Sequence, residues 1–145
     1  MWLKEIVDSL INEHKTNCPF EIASNLNISI IHWDLHEEIN GYYKYHRRNK
    51  YIVINTNLTE DMQRVVCAHE LGHALLHPRA NTPFMRKKTL FSIDKLELEA
   101  NRFAVNLLIP DHEMLEYSEQ FTIYDIASKY GVPVDLVKYK FNTIL

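Results

Sequence analysis

The sequence predicts an α+β fold, in which a small, mostly antiparallel three-stranded sheet packs on helices and further helices follow toward the C-terminus. Three observations carry this expectation. Short segments rich in β-branched and aromatic residues lie before residue 56. From Thr59 onward the apolar residues recur with a helical period instead. The 145-residue chain has only three glycines and no Gly/Ser-rich linker or internal repeat, so one domain spanning 1–145 is expected. Sheet first and helices later point to segregated elements, not to alternating βαβ units.

Each element has its own signal. Leu3, Ile6, Val7, Leu10 and Ile11 give residues 3–13 a helical apolar face. Pro19 suits the first turn of a second short helix reaching about Leu26. Residues 28–33, Ile-Ser-Ile-Ile-His-Trp, read as a strand. Asn40-Gly41 reads as a turn. Residues 42–46 and 51–55 follow as two strands, joined by a polar turn through 47–50. Thr59-Glu60-Asp61 opens a helix with a capping residue and an acidic first turn. Val65, Val66, Leu71, Leu75 and Leu76 continue that helix until Pro78. A loop is expected from about Arg79 to Ser92, with Arg86-Lys87-Lys88 as a solvated basic turn. The next helix runs from near Asp94 to about Leu108, before Pro110, and shorter helices are expected at 111–118, 122–129 and 133–141.

Composition narrows the function. Apolar residues make up 46% and charged residues 24%, ordinary values for a soluble globular chain. A net charge of −3 gives no broad basic field for sequence-independent nucleic-acid binding. The first residues lack a basic segment followed by an apolar one, so no signal peptide is expected. No apolar run approaches the roughly 18 residues that span a bilayer. Cys18 and Cys67 are too few for a disulfide framework, and Cys67 falls on a helical pattern as a small core residue. A cytoplasmic location is expected.

The chemistry concentrates in His69-Glu70-Leu71-Gly72-His73. A His-Glu-x-x-His pattern within a helix sets two imidazoles one turn apart on one face, where both can reach a single zinc ion. Glu70 lies beside them and can act as general base toward the hydrolytic water. Gly72 is a poor helix former, and close approach of another backbone would explain it. Zinc requires a third protein ligand. His77 continues the series, but eight residues of helix separate it from His69 by roughly 12 Å, so it is read as a partner at the helix end. Glu97 and Asn101 are better placed, being i and i+4 on the next long helix. Glu97 could ligate the metal while Asn101 hydrogen-bonds a ligand histidine. Glu99 points to another face and is read as a surface carboxylate or a partner of Arg102 or Lys95.

These residues bring out a family resemblance. The segment Ala68-His69-Glu70-Leu71-Gly72-His73-Ala74-Leu75-Leu76-His77 and the block Glu97-Leu98-Glu99-Ala100-Asn101-Arg102-Phe103-Ala104, ending in Leu107-Leu108-Ile109-Pro110, resemble the ImmA/IrrE-type metallopeptidases of bacteria and phages. The strand 51–55 and Gln63-Arg64 extend the likeness, which covers about residues 28 to 141. The resemblance implies a gluzincin-like zincin core with Zn2+ as cofactor and Glu97 as third ligand. It also implies an anti-repressor role: action on a DNA-binding, helix-turn-helix repressor of a prophage or other mobile element.

The C-terminal segment, about 121–141, mimics a helix-turn-helix in Ile123, Ile126-Ala127, Gly131-Val132 and Leu136-Val137. Its second helix offers Lys138 and Lys140 but also Asp135, with no Arg, Asn or Gln at its start to read bases. A packed helix pair that closes the core or contacts the protein substrate is the reading preferred to direct nucleic-acid binding. The leading functional expectation is a zinc endopeptidase with His69, His73 and Glu97 as ligands and Glu70 as base. The alternative is a non-proteolytic regulator that binds a repressor or DNA, with zinc structural or vestigial. A third reading is a zinc hydrolase acting on a small amide. Glu70 discriminates, because a purely structural metal has no use for a free carboxylate beside its ligands. Tyr42, Tyr43, His46 and the loop 79–92 are all open as sources of an oxyanion donor. Ile52, Val53, Ile54 and Asn55 are expected to grip an extended substrate by strand addition at a sheet edge.

Overall fold

A computed structural model describes residues 2–80, 83–85, 94–111 and 122–144 of the chain. Helix α1 (Trp2–His14) buries Leu3 and Val7, and α2 (Pro19–Asn25) begins with its proline in the first turn. Strands β1 (Ser29–Trp33), β2 (Ile39–His46) and β3 (Asn49–Asn55) precede helix α3 (Glu60–Leu76). A short strand β4 (Pro83–Met85), helix α4 (Lys95–Leu108) and the helices α5 (Ile123–Tyr130) and α6 (Val134–Ile144) complete the described elements.

The sheet corrects the expectation in three respects. It has four strands in the order β1-β3-β2-β4 and is mixed, with β1 parallel to β3 and the other pairings antiparallel. The fourth strand, β4, falls inside the segment expected to be loop. Most consequentially, β3 is not at an edge, because Ile52 pairs with Ile30 of β1 on one side and Tyr43 of β2 on the other. Among the described residues the edges belong to β1 and β4. Alternation in a sequence reports which face of a strand is buried, not which strand lies beside it. Here β2 folds back onto β3 and β1 takes the remaining side.

The turn assignments also shift. Asn40-Gly41 is no turn but lies within β2, at a register shift between Ile39 and Gly41. A Cβ on Gly41 would come 2.5 Å from the Val53 carbonyl oxygen and 2.7 Å from Val66 of α3, so the glycine serves close sheet-to-helix packing. The hairpin turn is Arg47-Arg48, both left-handed at φ 50° and 66°, as a two-residue turn matched to strand twist requires.

The helices follow the sequence closely. Thr59 caps α3, its hydroxyl accepting from the Met62 N–H at 3.1 Å, and Asp94 caps α4. Thr122 and Asp125 form a reciprocal capping box on α5, and Gly131, at φ 64°, closes it. The expected basic turn 86–88 and residues 112–118 of the expected helix lie outside the described residues. Helix α3 is the centre of the molecule, packing on β2 and β3 and against α4, which in turn carries α1 and α6. Ile52, Ile54, Val66, Leu71, Phe103 and Leu107 lie in this core, as does Cys67. No helix among the described residues is long and apolar enough to cross a membrane.

Candidate metal centre

Residues 65–74 of α3 are all buried, including four that carry titratable groups: Cys67, His69, Glu70 and His73. This is unusual, because charged residues are seldom fully buried without partners. The helix is held deep in the core by its neighbours. A Cβ on Gly72 would meet the Phe103 side chain at 3.0–3.2 Å, so the absent side chain admits an aromatic ring of α4 rather than the backbone that was expected.

The facing helix α4 brings Glu97, 7% exposed, against the two histidines. His73 Nε2 lies 2.7 Å from Glu97 Oε1, and His69 Nε2 lies 3.2 Å from Glu97 Oε2. One donor atom from each of the three residues falls within 4.8 Å of the others. Donors around a tetrahedral zinc, each at 2.0–2.1 Å from the ion, would be roughly 3.3 Å apart. Among the described residues, His73 Nε2 and both oxygens of Glu97 make no hydrogen bond of good geometry, and their close contacts are with the candidate ligand set itself. Buried polar atoms are nearly always paired, so convergence without hydrogen-bond geometry is what a metal-ligand set requires. Two imidazoles and one carboxylate thus fit a borderline-soft divalent ion.

The surroundings set the charges. Burial acts to raise the Glu97 pKa, but the two adjacent imidazoles outweigh it and hold the carboxyl at about 2. Burial pushes His69 below its usual range, which favours the neutral imidazole that ligates metal. Glu70 is 0% exposed, and neither of its oxygens makes a hydrogen bond of good geometry among the described residues, the Tyr43 backbone N–H being a weak partner. Burial, and then the charge of Glu97, push its pKa well above the ordinary carboxylate value, while the Tyr43 backbone N–H acts the other way.

Behind the ligand atoms, His69 Nδ1 lies 2.8 Å from Asn101 Oδ1, the pairing expected from the helix face. His77 stays outside the donor set, as its distance along the helix required. It caps α3 and its ring lies against His73, Nδ1 to Nδ1 at 3.0 Å, with its Nε2 3.0 Å from Glu99 Oε1. Sequence reasoning missed Glu99, which is neither a surface carboxylate nor a partner of Lys95 or Arg102. The signal available was the histidine at position 77, whose second nitrogen needed an acceptor.

Other expected site residues are not brought to the centre. Ile52 and Ile54 are 0% exposed in the core, and Val53 is buried on the opposite face of β3. Asn55 is committed to structure: its amide nitrogen donates to the Leu35, His36 and Ile39 carbonyls, and its oxygen accepts from Leu35, Asn57 and the Asn57 side chain. With both sides of β3 paired, it cannot accept a substrate strand. The Tyr43 hydroxyl donates to the Pro78 carbonyl at 2.5 Å, so it is not free to serve as an oxyanion donor in this arrangement. At the C-terminus, the two lysines that suggested DNA contact are both engaged. Lys140, 1% exposed, donates to Asn106 Oδ1 at 2.8 Å and to Asp111, while Lys138 lies 3.5 Å from Asp135.

The family model Peptidase M78, described as the IrrE N-terminal-like domain, matches residues 23–142. The chain is 56% identical over 139 residues to "Uncharacterized immunity region protein 2" of Bacillus phage phi105, covering 95% of this chain and 88% of that protein. It is 34% identical over 145 residues to "Metallopeptidase ImmA" of Bacillus subtilis strain 168, covering 98% of this chain and 85% of that protein.

Proposed function

The chain belongs to the Peptidase M78 family of IrrE N-terminal-like domains, and from that we propose that it is a zinc-dependent endopeptidase whose substrate is a DNA-binding repressor. The observation that carries the reading is the convergence of His69, His73 and Glu97 within 4.8 Å, beside a fully buried Glu70 whose oxygens make no hydrogen bond of good geometry among the described residues. His69, His73 and Glu97 would hold the metal, with Asn101 orienting His69. When bound, zinc supplies a Lewis acid that polarises a carbonyl and eases deprotonation of water. Glu70 is the general base: it takes the proton of the attacking water and delivers it to the departing amine. Its position follows from the helix, which sets it next to His69 and one turn from the other ligand. A cation beside Glu70 would offset the burial and the Glu97 charge that favour its protonated form. The burial of Glu70 next to the three candidate ligands supports hydrolysis over a purely structural metal.

The repressor as substrate is supported by the kinship with an immunity-region protein of a phage and with ImmA. The burial of Lys140 against Asn106 and Asp111 supports a helix pair that packs rather than one that reads DNA. The test combines metal analysis with cleavage. Purified protein should hold about one zinc per chain, and incubation with a repressor from the same immunity region should yield a defined pair of fragments by mass spectrometry. Glu97→Ala should release zinc far more than His36→Ala, a loop histidine that touches none of the ligands. Protein that controls the repressor in cells while leaving it uncut, with Glu70→Gln equally effective, would establish the non-proteolytic regulator instead.

A further inference from the structure

The two histidines of the site are backed in different ways. His69 Nδ1 meets the oxygen of Asn101, a neutral amide, at 2.8 Å. His73 Nδ1 meets a second imidazole, His77, which itself meets a carboxylate, Glu99, each step at 3.0 Å. The side chains of His77 and Glu99 are only 8% and 15% exposed, so this is not a solvated surface pair.

One placement of protons satisfies the whole series. The Nε2 atoms of His69 and His73 face Glu97, so a metal would take their lone pairs there and each ring would carry its proton on Nδ1. Asn101 Oδ1 can only accept, which suits His69. On the other side, His73 Nδ1–H donates to His77 Nδ1, leaving the His77 proton on Nε2, where the Glu99 carboxylate accepts it. The opposite placement would leave the carboxylate facing a lone pair.

Local structure explains how His77 reaches this position. It ends α3 with φ −133° and ψ 59°, outside helical values, while its N–H still bonds the His73 carbonyl at 2.7 Å. Its ring thereby lies over the preceding turn, against His73. The helix end is fastened from the sheet: Lys50 Nζ donates to the Ala74 carbonyl at 2.7 Å and the Tyr43 hydroxyl to Pro78 at 2.5 Å. A flexible helix end could not hold two rings at this distance.

We propose that His77 and Glu99 are positioning residues for the metal, fixing the tautomer and orientation of His73 and lending it the negative charge of the carboxylate. His73 is then the stronger electron donor of the two ligand histidines, and the site is asymmetric. The proposal rests on the reading of His69, His73 and Glu97 as zinc ligands. Its test is zinc affinity, measured by competition with a chromophoric chelator, together with long-range proton–nitrogen NMR of the histidine rings in the zinc-loaded protein. His77→Ala and Glu99→Ala should each lower zinc affinity about 10–100-fold, as loss of such outer partners generally does. Glu99→Gln keeps an acceptor but removes the charge, so it should lose less than Glu99→Ala and move the His73 ring resonances. Wild-type spectra should show His73 protonated on Nδ1 and His77 on Nε2. Unchanged zinc affinity in both alanine variants overturns the proposal, as does His77 carrying its proton on Nδ1. Should His77→Ala fail to fold, the two Glu99 variants and the wild-type spectra still decide. Failure of the underlying zinc reading looks different: wild type would not bind zinc, or would bind it as tightly after His69→Ala and His73→Ala.

Discussion

Strand β3 and helix α3 are buried to a similar depth, yet their polar side chains are treated in opposite ways. Asn55, 1% exposed at the end of β3, engages both halves of its amide, with six contacts that tie together the loop following β1, the start of β2 and Asn57. Glu70 and His73, 0% exposed in α3, keep side-chain atoms that make no hydrogen bond of good geometry among the described residues. Burying a polar group without a partner costs about 1–3 kcal/mol, so a saturated group and an orphaned one cannot be explained alike. The saturated one stabilises the fold. The orphaned ones do not, and they lie at the candidate metal centre. Lys140 falls on the Asn55 side of the division, being buried but tied to Asn106 and Asp111.

The sharpest way to test the division is to exchange one group from each side. Glu70→Gln should lower the cleavage rate by about 10²–10⁴-fold, because an amide cannot accept the proton. Zinc content and thermal midpoint should stay at wild-type levels. Cleavage at the wild-type rate would remove Glu70 from the chemistry. Asn55→Ala should do the reverse, losing about 2–3 kcal/mol in urea unfolding as several loop groups lose their partner. The folded fraction should bind zinc as wild type does. A metal defect at wild-type stability would mean that Asn55 serves the site after all.

A smaller effect probes how α3 is set against α4. Gly72→Ala gains helix propensity, worth about 1 kcal/mol, but its methyl group would press on Phe103, 0% exposed in the core. Overpacking of this kind costs about 1–3 kcal/mol, so a net loss near 1 kcal/mol is expected from thermal unfolding. A gain in stability would show that the Phe103 ring can move, and that the distance between the ligand helices is less rigid than the packing implies.

Much of the site was legible because helix periodicity is a strict rule. Positions 69 and 73 on one helix and 97 and 101 on another must share faces, and the structure brings those faces together. What could not be read was pairing between elements. The apolar run Tyr51–Asn55 has the same composition whether it is an edge or a central strand, and β1, separated from it by β2, decided the matter. Asn40-Gly41 has the chemistry of a turn, but the packing of Val66 against that point of β2 gives the glycine a different purpose. Glu99 was assigned by its face on an isolated α4, whereas its partner arrives from the non-helical end of α3, a geometry that no periodicity predicts.

The pH dependence of the zinc-free protein gives the smallest and most discriminating measurement. Burial, then the charge of Glu97, raise the Glu70 pKa well above 4.5, against the pull of the Tyr43 N–H. The folded state therefore keeps a proton that the unfolded chain releases once pH passes about 4.5. Folding takes up a proton in that window, so this group's contribution to stability falls as pH rises. Glu70→Gln does not titrate and has no such loss. With metal removed by a chelator, its stability advantage over wild type should be least near pH 4.5 and widen toward neutrality. His69 acts with the opposite sign, since burial lowers its pKa and its contribution grows as pH rises toward 6.5, but it is present in both proteins and largely cancels in the difference. Saturating zinc should flatten the trend, because a dication beside Glu70 favours the carboxylate. A zinc-free difference that does not change with pH would mean that the Glu70 carboxylate is satisfied in solution, which would move it to the same side of the division as Asn55.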